Sequence, residues 1–270
     1  MSLNLVSRYV KDRWVSVTIF SFSLFLYCWL IVSIMPTFVG NVEFMKLIEQ
    51  YPRELLVFFA PGSDVASIFT PEGFLALEFL SLWWVFIVAG FAIPGATAIV
   101  AKEVDEGTVD FLLAQPLKRA TLILNRFLAL LLCLFVLAAV PILSIFFLGI
   151  AYDVELGLGG LTATGVMAFV FFVSIASYSL LLSLLLRERS EANIASVSLL
   201  LVVYLLNALS ELSDSIEKFR FLSFFRYFRP DRTLATGEIP LRDLSVFVAA
   251  IATSFVLSLI IFQRKDIRAV

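Results

Sequence analysis

The sequence contains no histidine among its 270 residues. This absence excludes every mechanism that needs an imidazole side chain, including Ser-His and Cys-His nucleophiles, histidine-ligated zinc and histidine-ligated haem. Cysteine is nearly as rare, because the chain has only Cys28 and Cys133, and both lie in apolar runs. Two thiols are too few for a four-cysteine metal site, so we expect no metal site of this kind and two buried free thiols.

Charged residues are also scarce. They make up 16% of the chain, whereas an ordinary soluble domain has about 25%. Apolar residues make up 61%. A soluble fold of this length has too little interior to bury so much apolar surface, so the composition predicts a polytopic membrane protein. The formal net charge of −2 argues against a nucleic-acid partner.

Six apolar stretches are long enough to cross a bilayer as helices, which takes about 20 residues each. They predict an all-α polytopic membrane protein with a single transmembrane domain over residues 1–270. Pro94 and Pro141 fall inside two of the stretches and mark expected kinks. The predicted spans cover residues 14–35, 74–100, 122–150, 161–186, 194–209 and 244–262.

Three shorter segments are amphipathic and are predicted to lie on the membrane surface. Residues 1–13 are expected to form a helix before the first span. Residues 41–51 and 217–229 carry apolar side chains at helical spacing and are expected to be interfacial helices on the opposite side. The phenylalanine stripe of the last segment is more typical of a helix anchored among lipid headgroups than of a ligand-stacking box. This stripe consists of Phe221, Phe224, Phe225 and Phe228.

Lysine and arginine are distributed unevenly about the spans. If the N-terminus is cytoplasmic, 12 of the 20 basic residues lie in the inner segments. Of the other eight, six lie in one outer loop, residues 218–242. The bias predicts that both termini are cytoplasmic, because inner loops are normally enriched in these residues. The role of the basic outer loop stays open.

The loop between the second and third spans, residues 101–121, is the most informative segment. A helix is expected to leave the membrane, become acidic and end at Gly107. Thr108 then caps a short apolar helix that Pro116 follows. From geometry alone this helix is either a docking element or a turn that lies flat on the bilayer. The residues singled out are Glu103, Asp105, Gly107, Thr108, Asp110, Phe111, Leu112, Leu113, Pro116 and Arg119.

This loop resembles the signature of the membrane permeases of exporter-type ABC transporters, the ABC type-two family. The family pattern is E-x-x-x-G-T-x-x-x-L-L-x-x-P-x-x-R, and residues 103–119 carry each of its fixed positions. Position 104 is valine, where many relatives have a charged residue. Four weaker segments also resemble these permeases and occur in the right order. They are residues 52–56, 70–74, 229–231 and 262–267.

The resemblance implies a transport subunit of the plasma membrane, an exporter, and not an enzyme. The loop then acts as a coupling helix seated in a groove of a separate cytoplasmic ATPase subunit, and residues 1–13 act as the elbow helix of the family. The ATPase subunit binds ATP and Mg, and this chain needs no cofactor of its own. A second permease, either another copy of this chain or a paralogue, completes the assembly among membrane lipids. The sequence has no G-x-x-x-x-G-K-[ST] motif, which agrees with ATP hydrolysis on another chain.

Polar residues inside the predicted spans are few, and each is a candidate functional residue. Glu78 and Asn207 are candidates for a substrate path, although Glu78 lies near the outer boundary, where an interfacial position is favoured. Asn125 and Arg126 lie near the inner end of the third span. The scarcity of charge in the spans argues against a proton- or ion-coupled transporter, and it suits an amphiphilic substrate.

Two alternatives stay open. The first is a histidine-independent membrane enzyme that uses the acidic residues of the loop, Glu103, Asp105, Glu106 and Asp110, as a metal–phosphate site. Such charge runs are more often solvated faces. The second is an ATPase-linked complex that transmits force and moves no substrate, because the same fold can serve both purposes. Metal-dependent activity of the isolated chain and substrate flux in vesicles would distinguish these alternatives from a transporter.

Overall fold

The computed structural model describes residues 3–39, 41, 43, 50–59, 69–99, 119–186 and 188–264. In this part of the chain all regular secondary structure is helical, which confirms the all-α prediction. The α-helices are α1 (Leu3–Phe38), α2 (Arg53–Phe59), α3 (Pro71–Leu75), α4 (Trp83–Thr97), α5 (Arg119–Ala151), α6 (Leu158–Leu185), α7 (Arg189–Leu212), α8 (Asp214–Glu217), α9 (Pro230–Thr236) and α10 (Leu241–Arg264). A π-helical segment (Ala76–Leu80) and two 3₁₀ turns (Arg220–Leu222 and Phe224–Arg226) complete the regular structure.

Six helices of the described chain are long and apolar enough to cross a membrane, as predicted. Each overlaps the expected span and extends beyond it at one or both ends, because a helix can continue past the point where hydropathy falls. The second span also ends earlier than expected, at Thr97 and not at residue 100. The spans are Ser7–Phe38, Pro71–Thr97, Ile123–Ala151, Leu158–Leu185, Arg189–Leu212 and Leu241–Gln263.

The central helix of the bundle is α6. It packs against α4, α5, α7, α9 and α10, and most of its side chains are buried. Its interior serines need no partner from another helix, because each donates a hydrogen bond to a carbonyl three or four residues earlier, at 2.7 to 2.8 Å. These serines are Ser174, Ser177, Ser179 and Ser183. Satisfied hydroxyls of this kind are tolerated in an apolar core.

The proline inside α5 leaves a backbone carbonyl that another helix satisfies. Pro141 has no N–H, so the carbonyl of Leu137, four residues earlier, lacks its normal helical donor. The indole Nε1 of Trp84 in α4 donates to this carbonyl at 3.3 Å. Trp84 is fully buried, and its ring packs edge-on against Phe172 of α6. The indole therefore joins three helices at the position of the proline.

Close packing brings α9 onto the start of α6 at Gly160. A Cβ atom at this position would overlap the carbonyl group of Leu234, with the carbonyl carbon only 2.9 Å away. The hydroxyl groups of Thr164 and Thr233 share a buried hydrogen bond of 2.7 Å one turn further along. A residue without a side chain at position 160 therefore allows the two helices to touch.

The first span differs from the prediction at its N-terminal end. The helix predicted over residues 1–13 is not a separate element in the described chain, because α1 continues without a break from Leu3 to Phe38. The amphipathic residues form the first turns of the long helix. A continuous helix keeps its backbone hydrogen bonds paired through the membrane boundary, so nothing in the backbone requires a break there.

The second span also departs from a simple helix. It begins with α3, passes through the π-helical segment and turns at residues 81–82 before α4 begins. Leu82 has φ −124° and ψ −66°, outside the helical region. The helices α4 and α5 continue through Pro94 and Pro141, the two positions of the expected kinks.

The predicted interfacial helix over residues 217–229 is wrong as a single element. The segment instead forms two 3₁₀ turns, so the four phenylalanines do not share one face. Phe225 and Phe228 are buried and both contact the ring of Phe171 in α6, whereas Phe221 is 56% exposed. Burial in the bundle outweighs the helical periodicity. Residues 41–51, the other predicted interfacial helix, lie outside the described residues except for 41, 43, 50 and 51.

Candidate functional site

The predicted coupling residues from Glu103 to Pro116 lie outside the described residues, and of Arg119 only the backbone is described, as the first residue of α5. The alternative metal–phosphate site at Glu103, Asp105, Glu106 and Asp110 also lies there. Among the residues that the structure describes, no group of three or more side chains is placed to hold a metal ion. The structure does show the two helix ends that lead into and out of the loop.

Three arginines converge on the last turn of α4 and the two residues that follow it, where the chain enters this loop. We call Arg13, Arg126 and Arg189 the arginine cluster; they come from α1, α5 and α7. The Nη1 atom of Arg126 donates to the carbonyl of Ile99 at 2.9 Å. Nη2 of Arg13 lies 3.5 Å from the carbonyl oxygen of Gly95, and Nη2 of Arg189 lies 3.5 Å from that of Pro94.

The chemistry of a helix end explains this convergence. The last carbonyls of a helix lack intrahelical donors, and the C-terminal end carries the negative end of the helix dipole. The Pro94 carbonyl is an exception here, because it also accepts from the backbone N–H of Ala98 at 3.3 Å. Guanidinium groups supply both donors and positive charge. Gly95 makes the approach possible, because a Cβ there would lie 2.8 Å from Nη1 of Arg13. The hydroxyl of Tyr9 also donates to the Gly95 carbonyl, at 3.3 Å, and its ring lies 4.9 Å from the Arg13 guanidinium.

Side-chain hydrogen bonds extend this junction to α7. The Thr97 hydroxyl donates to Oδ1 of Asn193 at 2.7 Å. Asn125, which precedes Arg126 on α5, is buried. Neither its amide nitrogen nor its amide oxygen has a hydrogen-bond partner among the described residues. The end of α4 is thus fastened to α1, α5 and α7 by polar contacts.

Glu78 lies in the π-helical segment of the second span. Its backbone carbonyl accepts a hydrogen bond of 3.1 Å from the Tyr27 hydroxyl of α1, and the neighbouring Phe79 packs against the Tyr27 ring. The side chain is half-buried, and within the described chain the carboxylate makes no ion pair. The choice of Glu78 as a residue of a substrate path stays a prediction.

Asn207 is buried near the other end of α7 and belongs to a polar group with the outer loop. Its Oδ1 accepts a hydrogen bond of 3.3 Å from Nε of Arg220, and Arg220 also forms an ion pair with Glu211. The structure does not bring Asn207 and Glu78 together by any hydrogen bond in the described chain. The prediction that these two residues line a substrate path stays a prediction.

Part of the basic outer loop is neutralised locally. Arg229 makes two hydrogen bonds to the Asp231 carboxylate, Nε–Oδ1 at 3.0 Å and Nη2–Oδ2 at 2.8 Å. These hydrogen bonds are the main reason that the pKa of Arg229 is raised above its ordinary value, against the opposing effect of burial. Together with the Arg220–Glu211 pair, they show that two of the six basic residues in this loop hold its structure.

Sequence reasoning missed the arginine cluster. Arg13 and Arg189 entered only as inner positive charges, and Arg126 also as a polar residue near the inner end of the third span. No local pattern links them to their carbonyls, because Arg13 lies 82 residues from Gly95 and Arg189 lies 95 residues from Pro94. Arg126 lies 27 residues from Ile99. The Pro94-Gly95 pair near the end of a span is the signal that marks an accessible backbone there.

Comparison with known proteins gives one family. Residues 6–267 match the family model described as ABC-2 family transporter protein. No curated protein matches the chain. The family match includes all six spans and the whole of the loop between the second and third.

Proposed function

This chain belongs to the ABC-2 family of transporter proteins, and from this membership we propose that it couples ATP hydrolysis on a separate ATPase subunit to export across the plasma membrane. The chain is a multi-pass membrane component of an ABC transporter, since the family match includes six helices long enough to span a bilayer. The match over residues 6–267 is the observation that carries the proposal.

The coupling element of the proposal is the loop between α4 and α5. Its residues from Glu103 to Arg119 carry the family signature, and Phe111, Leu112 and Leu113 would contact a groove of the ATPase subunit. The fastened end of α4 supports this role, because a force on the loop would reach α1, α5 and α7 through the arginine cluster and not only through the backbone. ATP and Mg would be bound by the partner.

Coupling is tested by reconstituting the chain with its ATPase subunit in lipid vesicles. Deleting residues 110–114 should reduce the stimulated ATPase rate to the rate of the ATPase subunit alone, because the apolar contact with the groove is lost. The matched control is Glu155→Ala, an exposed residue at the other end of the bundle, which should leave stimulation unchanged. Full stimulation by the deletion variant would reject residues 110–114 as the coupling element.

Transport and force transmission are separated by measuring flux. In inside-out vesicles that contain the complex, an exporter should accumulate a fluorescent phospholipid analogue only when ATP is supplied outside. If the chain stimulates ATP hydrolysis but none of the tested amphiphiles accumulates in the vesicles, the result would favour the force-transmitting alternative. The second permease of the assembly is proposed to be another copy of this chain, and cross-linking of a tagged pair in the same vesicles tests that arrangement.

A further inference from the structure

The arginine cluster lines a cavity of about 470 Å³ between α1, α4, α5 and α7. This volume lies within the range of roughly 300–1,000 Å³ that is usual for small-molecule sites. The cavity has a charged end and an apolar end, and the two differ in position along the helices.

The charged end carries an excess of positive charge. Three guanidinium groups line it together with one carboxylate, that of Asp12, which is exposed. The Nε atom of Arg189 is buried and has no hydrogen-bond partner among the described residues. A buried donor without an acceptor is costly, and planar guanidinium groups match the oxygens of a phosphate. The chemistry of this end therefore favours a phosphate group.

The apolar end is formed by Phe20, Gly90 and Phe91. Phe20 lies seven residues after Arg13 on α1, which places it about 10 Å further along the helix, toward the middle of the span. The rings of Phe20 and Phe91 meet edge to face at a centroid distance of 5.6 Å. Gly90 is exposed, and a Cβ there would meet only Phe20 Cε1, at 3.9 Å. The groove between α1 and α4 is therefore open at Gly90.

We propose that this cavity binds one anionic phospholipid, with the phosphate at the arginine cluster and the first acyl-chain carbons along Phe20, Gly90 and Phe91. The order of the two ends matches a lipid in a bilayer, because the arginines lie toward the helix ends and the phenylalanines toward the middle. Basic pockets between spanning helices bind anionic headgroups for the same electrostatic reason. A free phosphate would use only the charged end.

The proposal goes beyond the transport function and does not depend on the ATPase subunit. Binding to the purified full-length chain is measured by native mass spectrometry in detergent, with dioleoylphosphatidylglycerol and dioleoylphosphatidylcholine as probes. These lipids share acyl chains and differ in net charge. One molecule of the anionic lipid should bind at least tenfold more tightly than the zwitterionic lipid, and an equal concentration of inorganic phosphate should not displace it.

Two pairs of variants test the two ends of the cavity. Arg189→Gln should weaken binding of the anionic lipid about tenfold, whereas Arg189→Lys keeps the charge and should retain most of it. Arg242→Gln removes an exposed arginine at the opposite end of the bundle and should have no effect. Gly90→Leu fills the groove with all arginines present and should also weaken binding about tenfold, whereas Gly90→Ala should not.

Four results would overturn the proposal. They are equal affinity for the two lipids, equal affinity of the Arg189→Gln and Arg242→Gln variants, unchanged binding by Gly90→Leu, and displacement of the lipid by inorganic phosphate. The last result would reduce the site to a simple anion site. Each variant is compared only if its thermal unfolding without added lipid matches that of the unaltered chain. If a larger substitution prevents folding, the lysine and alanine variants still allow the comparison.

Discussion

Trp84 and Pro141 show how one side chain can complete the hydrogen bonding of a distant backbone. Each residue considered alone looks unfavourable in a membrane helix, because one has a buried N–H and the other removes a backbone donor. Together the two unfavourable effects cancel, because the indole N–H donates to the Leu137 carbonyl that the proline leaves without a helical donor. Inside a bilayer no water is present to satisfy either group.

A double-mutant cycle measures this pairing. Trp84→Phe should destabilise the chain by about 2 kcal/mol through the lost hydrogen bond and the smaller ring. In a Pro141→Ala background the same change should cost about 1 kcal/mol less, because the new N–H at position 141 satisfies the Leu137 carbonyl. Thermal unfolding in detergent gives the four stabilities. A Pro94→Ala background serves as the control, and equal cost of Trp84→Phe in all three backgrounds would contradict the pairing.

The polar group at the C-terminal end of α7, formed by Asn207, Glu211 and Arg220, also shows the effect of single residues. Arg220→Met should destabilise the chain by about 2 kcal/mol, because the buried Oδ1 of Asn207 and the carboxylate of Glu211 both lose this donor. Arg226→Met is the matched control, an exposed arginine of the same loop, and its effect should stay within about 0.5 kcal/mol. The unfolding temperatures of the two variants compare them directly, and coincident values would show that the ion pair holds nothing in place.

At the scale of elements, short segments between the fifth and sixth spans are packed into the bundle. The helix α9 touches α6 through Gly160, and the 3₁₀ turn that contains Phe225 touches both α6 and α7 through aromatic contacts with Phe171 and Tyr204. Two of the four side chains that look like a headgroup anchor, Phe225 and Phe228, are therefore part of the protein core. This packing gives the outer loop a defined position over the ends of the spans.

The contact between α6 and α9 predicts that alanine substitutions at two neighbouring glycines change the stability of the chain differently. Gly160→Ala should destabilise the chain by about 3 kcal/mol, because its Cβ meets the backbone of Leu234, which cannot rotate away as a side chain can. Gly159→Ala should be neutral or slightly stabilising, since its Cβ has only Gly237 Cα nearby, at 3.8 Å, and alanine favours a helix. Chemical or thermal unfolding of both variants provides the measurement. A cost at position 159 equal to that at 160 would show that the helix contact is not the cause.

At the scale of the whole molecule, the spans differ in how far the bundle covers them. In the most apolar window of α6, 72% of residues are buried, but the share is 22% for the first span and 11% for the last. Their exposed faces require lipid or another apolar protein surface, because such large apolar surfaces are not stable in water. The arrangement agrees with a membrane component whose peripheral helices are free to contact partners.

The proposed orientation is tested with two cysteine variants of equal charge change. Glu188 lies in the connection between α6 and α7, and Glu238 lies between α9 and α10, at the opposite end of the bundle; both are exposed. The native thiols, Cys28 and Cys133, are buried and should not react. In intact cells a membrane-impermeant maleimide should label Glu238→Cys, but it should label Glu188→Cys only after permeabilisation. The reverse pattern would place the termini outside.

The sequence alone determined the membrane character, the number of spans and the family. Each of these depends on local information: a run of about 20 apolar residues crosses a bilayer wherever it occurs, and the signature of residues 103–119 is contiguous. The tertiary structure decided which polar residues meet. Tyr9 and Gly95 are 86 residues apart, and their contact follows from the packing of α1 on α4 and from the absence of a side chain at position 95.

The same reason explains the phenylalanines of the outer loop. A helical stripe predicts only which residues would share a face if a helix formed, but burial of Phe225 and Phe228 against α6 favours two short turns instead. Hydropathy and periodicity depend only on local properties, namely whether a segment can pair its own backbone hydrogen bonds and whether it prefers lipid or water. They do not report which distant backbone carbonyl or ring supplies a better partner, and in this protein that choice places the arginine cluster, the Trp84 hydrogen bond and the packed outer loop.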